Sequence, residues 1–292
     1  MFRRNLSTIV CFLVLFLTIS NTYGNEEMKS LELQMVSVLK DLRSAQDDAS
    51  RRSSSEALLT LLREAVNTEG CFNYPFEEVK GMGILMSSDR KLKLFNWNVP
   101  LEDQTHEYHC LILHRPEKKS DLTNIYELHQ TRPFFDASTS KYLSDDYWYG
   151  ALYYDIITHE ERNSTSYTLL GWIGKDQLTT MKVIDVLQFT KRGIRFGAPI
   201  FKSDKGTDKR FFMEYSNEVN VSLKYHSEDE RIVFDHLSPR ARGLEGNMAF
   251  YGPDFTYDAF VLEKGKWLYQ RDVYITAGKS KDDRPFFNPG NR

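Results

Sequence analysis

The 292-residue chain is poor in cysteine, with only Cys11, Cys71 and Cys110, and none of them forms a CxxC pair. That excludes zinc ribbons and thioredoxin-like redox sites, which need two thiols on one turn. A Gly-rich phosphate loop, a GxSxG nucleophile elbow and an EF-hand spacing are missing as well, so nucleotide, serine-hydrolase and calcium chemistry lack their readable signatures. No cofactor is expected. There is no surplus of positive charge either, the formal net charge being -3, so no nucleic-acid partner is expected, because phosphate contacts need Lys and Arg in excess.

The one long apolar run, Ile9 to Ile19, lies behind Arg3 and Arg4 and ahead of Thr22-Tyr23-Gly24. This is the pattern of a signal peptide over residues 1–24, cut after Gly24. The run is about half the roughly 20 residues that a spanning helix needs, so no membrane anchor is expected after cleavage. Val10 before Cys11 argues against lipoprotein processing, which takes a small residue there. Removal of residues 1–24 takes away two arginines and no acid and leaves 268 residues at a formal charge of -5. In an exported, periplasmic or extracellular setting Cys71 and Cys110 can close one disulfide or remain buried thiols.

Residues 25–70 read as helical. Met28, Leu31, Met35, Val38, Leu39 and Leu42 recur at helical spacing, and Leu58, Leu61, Leu62 and Ala65 make a second stripe behind a Ser53–Glu56 capping box. From residue 71 to 278 the period falls to two, with turn clusters at short intervals. The clearest strand carries Val219, Val221, Leu223 and Tyr225 on one face and Asn220, Ser222, Lys224 and His226 on the other. Hairpins are predicted around Ser87–Arg90, His226–Glu230 and Lys264-Gly265, and another between Trp148–Ile157 and Tyr167–Ile173. The stretch Met181–Phe189 fits a strand or a short helix. The fold class is mainly β, with antiparallel sheets in a sandwich, a barrel or propeller-like blades, preceded by a pair of amphipathic helices. A polar stretch near residues 120–146 offers a point of subdivision in the β region, and residues 279–292 read as a loose tail.

Taken in order, "KLKLFNWNVPLEDQTHEYH", "WYGALYYDII", "YTLLGWIGKD", "RFGAPIF", "KRFFMEYS", "RIVFDHLSP" and "FYGPDFTYDAF" resemble an uncharacterised family of exported proteins of Bacteroidota. The resemblance covers nearly the whole chain after the leader. It implies export and supplies no catalytic residue.

His106-Glu107-Tyr108-His109 is HExH, one residue short of the zinc-protease spacing. In a strand its two histidines point apart, so no metal site is expected there. The acidic and histidine residues on or beside predicted strands are Glu214, Asp235, His236, Asp254 and Asp258. Two carboxylates converging in a cleft would suit a carboxylate-dependent hydrolase of glycans, with Trp172, Tyr251 and Tyr257 as stacking platforms. The plainer reading gives Asp235 and Asp254 to turn amides, makes Gly252-Pro253-Asp254 a turn and spends the rings on packing. The favoured expectation is a non-catalytic binding or structural component, with a glycan or a peptide as the partner that an aromatic β surface suits.

Overall fold

The computed structural model describes residues 26–116, 122–131, 139–161 and 164–274. The expected signal peptide and the tail from 279 lie outside the described residues. A first helix, α1, spans residues 26–44, and Met28, Leu31, Met35, Leu39 and Leu42 are all buried along its stripe. The second, α2 (Asp48–Asn67), starts earlier than the Ser53 box suggests, because the Asp47 carboxylate accepts the Ser50 N–H at 2.8 Å. That bond satisfies a first-turn amide, so Ser53 and Glu56 fall inside the helix. Ser55, Leu58, Leu59, Leu62 and Ala65 form the buried face of α2. Neither helix is long and apolar enough to cross a membrane.

Three sheets follow. The first is a meander of β1 (Gly83–Met86), β2 (Leu92–Pro100), β3 (His106–His114) and β4 (Asn124–Leu128). The second contains β5 (Leu152–Glu161), β6 (Ser164–Gly174), β7 (Thr179–Thr190) and β8 (Gly193–Phe196). It is completed by β11 (Phe211–Ser216), which pairs with β7 in the order β11-β7-β6-β5. Met181–Phe189 is therefore strand, buried on both faces. The third takes β9 (Phe201–Ser203), β10 (Gly206–Asp208), β12 (Leu223–His226), β13 (Arg231–Pro239), β14 (Tyr251–Glu263) and β15 (Lys266–Gln270). Its order is β10-β9-β15-β14-β13-β12, antiparallel except between β15 and β9.

Side-chain alternation stacks these sheets. Odd positions of β2 and β3, namely Phe95, Trp97, Val99, Leu111 and Leu113, pack under the two helices. Even positions, including Leu94, Cys110 and Ile112, pack against Tyr167, Leu169, Val183 and Leu187 of the second sheet. The other face of that sheet, through Leu170, Ile184 and Val186, meets Ile232, Phe234, Phe260 and Trp267 of the third. The architecture is a sandwich with an extra layer, helices on sheet on sheet on sheet. Leu128, within the polar stretch near 120–146, and Trp148, just after it, enter the same core.

The layering also decides the cysteines. Cys71 sits in the core under the helices, Cys110 in the core on the far side of the first sheet, and both are free thiols. The disulfide considered from sequence is not formed, because a sheet lies between its two halves. Close approach between layers requires Gly83: a Cβ there would meet the Asn96 amide nitrogen and lie 3.3 Å from the Tyr153 carbonyl oxygen.

Candidate functional site

Strands β13 and β14 pair Phe234 with Asp258 and Asp235 with Tyr257, and the register then shifts between Asp235 and Leu237. His236 occupies this irregularity, and its Nδ1 lies 2.7 Å from Asp258 Oδ2. The Asp258 carboxylate is almost fully buried. It also accepts the Tyr269 hydroxyl at 2.5 Å and the Asp272 N–H at 3.2 Å. Burial, together with the bond to Asp258, pushes the Tyr269 phenol up to about 12. Asp254 stands close enough to feel His236. Its slight burial works against ionisation, but the Thr256 hydroxyl and N–H and the His236 charge bring it below the usual carboxylate range. A buried carboxylate that orients an imidazole is the geometry of a general base.

Of the five sequence candidates, His236 and Asp258 thus meet, with Asp254 on the same strand as Asp258 and bonded to Thr256. The other two do not. Asp235 Oδ2 accepts the Ser222 N–H at 2.7 Å, which continues the β12–β13 ladder. Glu214 lies on the second sheet, 2.6 Å from Lys175 Nζ. The Gly252-Pro253-Asp254 triplet is strand rather than turn, with Pro253 opposite Leu237 beside the irregularity. The turn chemistry is displaced onto Asp254–Thr256, where Phe255 takes φ 71° and is 90% exposed.

The expected aromatic platforms do not form one surface. Trp172, half-buried on β6, meets His106 edge-on at 5.2 Å. The Tyr251 hydroxyl accepts the Gly246 N–H at 3.0 Å, and Tyr257 is half-buried opposite Asp235. The HExH histidines point apart: His106 faces Trp172, whereas His109 stacks on Trp97 at 4.9 Å on the helix side. Among the described residues no group of three or more His, Cys, Asp or Glu is placed to hold a metal ion.

A concave surface that sequence reasoning missed lies where edge strand β5 of the second sheet faces edge strand β12 of the third. It is a groove of about 430 Å³ whose walls include Tyr154, Asp155, Lys182, Ser222, Lys224 and Tyr225. A register shift between Tyr153 and Asp155 lets the adjacent Tyr154 and Asp155 both line it, which regular alternation forbids. The Tyr154 hydroxyl donates to Leu223 O at 3.0 Å, and the Lys182 ammonium lies 4.8 Å from the centre of the Tyr154 ring. Lys182 makes no hydrogen bond or ion pair among the described residues. Burial lowers the Lys182 amine below its ordinary value and raises the Asp155 carboxyl, the latter against a bond from the Ile156 N–H. The signal was present in "MKVIDVLQF", where a lone Lys and a lone Asp interrupt an apolar strand.

That Asp has the opposite surroundings. Asp185 is wholly buried between the first and second sheets, and its Oδ2 accepts Arg210 Nε at 2.9 Å and the Tyr149 hydroxyl at 3.0 Å. The Tyr149 and Tyr153 hydroxyls are 3.1 Å apart, and Trp148 Nε1 donates to Tyr153 at 3.0 Å. Burial pushes the Asp185 carboxyl up against the pull of Arg210.

Comparison with family models, with curated proteins and with solved structures gives no match, so the functional reading rests on geometry.

Proposed function

We propose that the protein is an exported, non-catalytic binding protein that holds a glycan in the groove between β5 and β12. The observation that carries this reading is a contrast in satisfaction. Asp235 is taken by an amide, Asp258 by three donors and Glu214 by a lysine, while Lys182 faces the groove on an accessible tyrosine ring with no acceptor of its own. Ligand sites pair apolar or aromatic walls with a few convergent polar groups, and a volume of about 430 Å³ falls in the range of small-ligand sites. Export rests on the leader pattern of residues 1–24.

The test is binding of the mature chain to glycan arrays and peptide pools, with Tyr154→Ala in parallel. A glycan retained by the wild type and lost at least about tenfold by the variant is expected. Absence of any ligand, or binding indifferent to Tyr154, refutes the site. Mass spectrometry of the protein recovered from the cell exterior or periplasm should show loss of residues 1–24.

A second reading, the glycan hydrolase, draws on Asp254 and Asp258 flanking His236. Release of reducing sugar by the wild type that disappears in a folded Asp258→Asn variant would establish it.

A further inference from the structure

We infer that the groove selects a ligand bearing a carboxylate on a sugar ring, that is, an acidic oligosaccharide with its carboxylate on Lys182 and its ring against Tyr154. This rests on the binding reading above and adds the ligand class. The argument begins with the unmet donors of the ammonium. Lysine carries three N–H donors, and a ring face satisfies the charge only in part. On its own sheet the register neighbours of Lys182 are Trp172 on β6 and Met213 on β11, neither of which is an acceptor for it. Across the groove stand Ser222, just before β12, and a second cation, Lys224 of β12.

Among the described residues the only acid on the groove wall is Asp155, which makes no ion pair with Lys182 and whose Oδ1 is engaged by the Ile156 N–H. In a chain of net charge -3, this wall thus carries two lysines and one aspartate. A half-buried ammonium binds an incoming carboxylate more strongly than an exposed one does, because less water screens the pair.

The sugar is favoured over a peptide by one hydrogen bond. An extended peptide would recognise the groove by adding a strand to the open edge of β12. Ser222 O accepts the Asp235 N–H and so points inward to β13, which leaves Leu223 O pointing outward, where the Tyr154 hydroxyl caps it at 3.0 Å. One of the outward acceptors that an added strand would use is thus occupied, and the Tyr154 side chain stands across that edge. What remains accessible is the Tyr154 ring, 39% exposed, whose flat apolar face suits the C–H face of a pyranose, while Ser222 offers a hydroxyl for ring substituents.

The experiment is isothermal titration of the mature chain with trigalacturonate, with galactotriose as the neutral counterpart and with a triglutamate peptide. Wild type, Lys182→Met, Lys182→Glu and Tyr154→Ala are compared after thermal melts show each to be folded. Trigalacturonate should bind the wild type at least about tenfold tighter than galactotriose, the scale of one charge-assisted hydrogen bond. Added salt should narrow the gap. Lys182→Met should erase the difference, Lys182→Glu should reverse it, and Tyr154→Ala should weaken both sugars.

Equal binding of the two sugars to the wild type, or a preference that survives Lys182→Met, overturns the ligand class while leaving the groove as a site. Triglutamate binding better than trigalacturonate overturns the sugar assignment. No sugar binding at all, or sugar binding unchanged by Tyr154→Ala, overturns this inference and the binding reading together.

Discussion

Lys182 and Asp185 stand three residues apart on β7 and face opposite layers of the sandwich. Asp185, turned toward the first sheet, is met by a guanidinium, a tyrosine hydroxyl and an amide. Lys182, turned toward the edge of the third sheet, is met among the described residues only by a ring. Burying an unpaired charge costs several kcal/mol, whereas leaving one half-exposed costs far less. The charge of Asp185 is therefore completed within the chain, and the edge can leave that of Lys182 open for something outside it.

The strongest way to break that comparison is Asp185→Asn, which strands Arg210 in the core. It should lower the unfolding free energy by about 3–5 kcal/mol in urea melts, and a loss under about 1 kcal/mol would show that the interior pair is not what holds the layers.

Acid titration sharpens the same point, because burial holds His106, His114 and His159 near 4, below the roughly 6.5 of the unfolded chain. As the pH falls from 6.5 toward 4 the unfolded state takes up protons that the folded state refuses, so stability present above 6.5 is lost in that window. His159→Gln, which can keep the bond to Thr168, should reduce this pH dependence by up to about one proton in equilibrium melts.

Lys93 lies between the two extremes. It is buried among Phe76 and Phe95, donates to the carbonyls of Cys71 and Tyr74, and is lowered to about 8 by burial. The unfolded chain holds that proton up to roughly 10.5. The stability difference between wild type and Lys93→Met should therefore shift in favour of the wild type from pH 8 to 10, as the amine loses its costly charge. The smallest effect is expected at the groove: Lys182→Met should change unfolding free energy by less than about 0.5 kcal/mol, since it breaks no bond within the protein.

Much of the fold was legible because local rules dominate it. Ser87–Arg90 and Lys264-Gly265 close hairpins where turn residues interrupt two-residue alternation. The α1 stripe buries as its spacing requires, and the strand period separates the HExH histidines. The start of α2 was misplaced because Asp47 and Ser53 are both good caps, and only the accepted Ser50 amide distinguishes them. For the site, adjacent strands bring His236 and Asp258 together through register, whereas Glu214 pairs with Met181 of β7 and is held by Lys175. The groove was hidden for a different reason. It joins Tyr154 on one sheet to residues near 223 on another, and no spacing within either segment reveals that two edges will face each other.

The parallel pairing of β15 with β9 makes the strand nearest the described C-terminal end the centre of its sheet, between β9 and β14. Trp267 fills the core there and reaches Thr168 of the neighbouring layer. A polypeptide ending before Lys266 would leave two ladders bare in mid-sheet, each a template for sticking to another copy. Formation of that sheet must wait for partners some 66 residues distant, Phe201 and Trp267, to find one another, a topology that makes for slow folding.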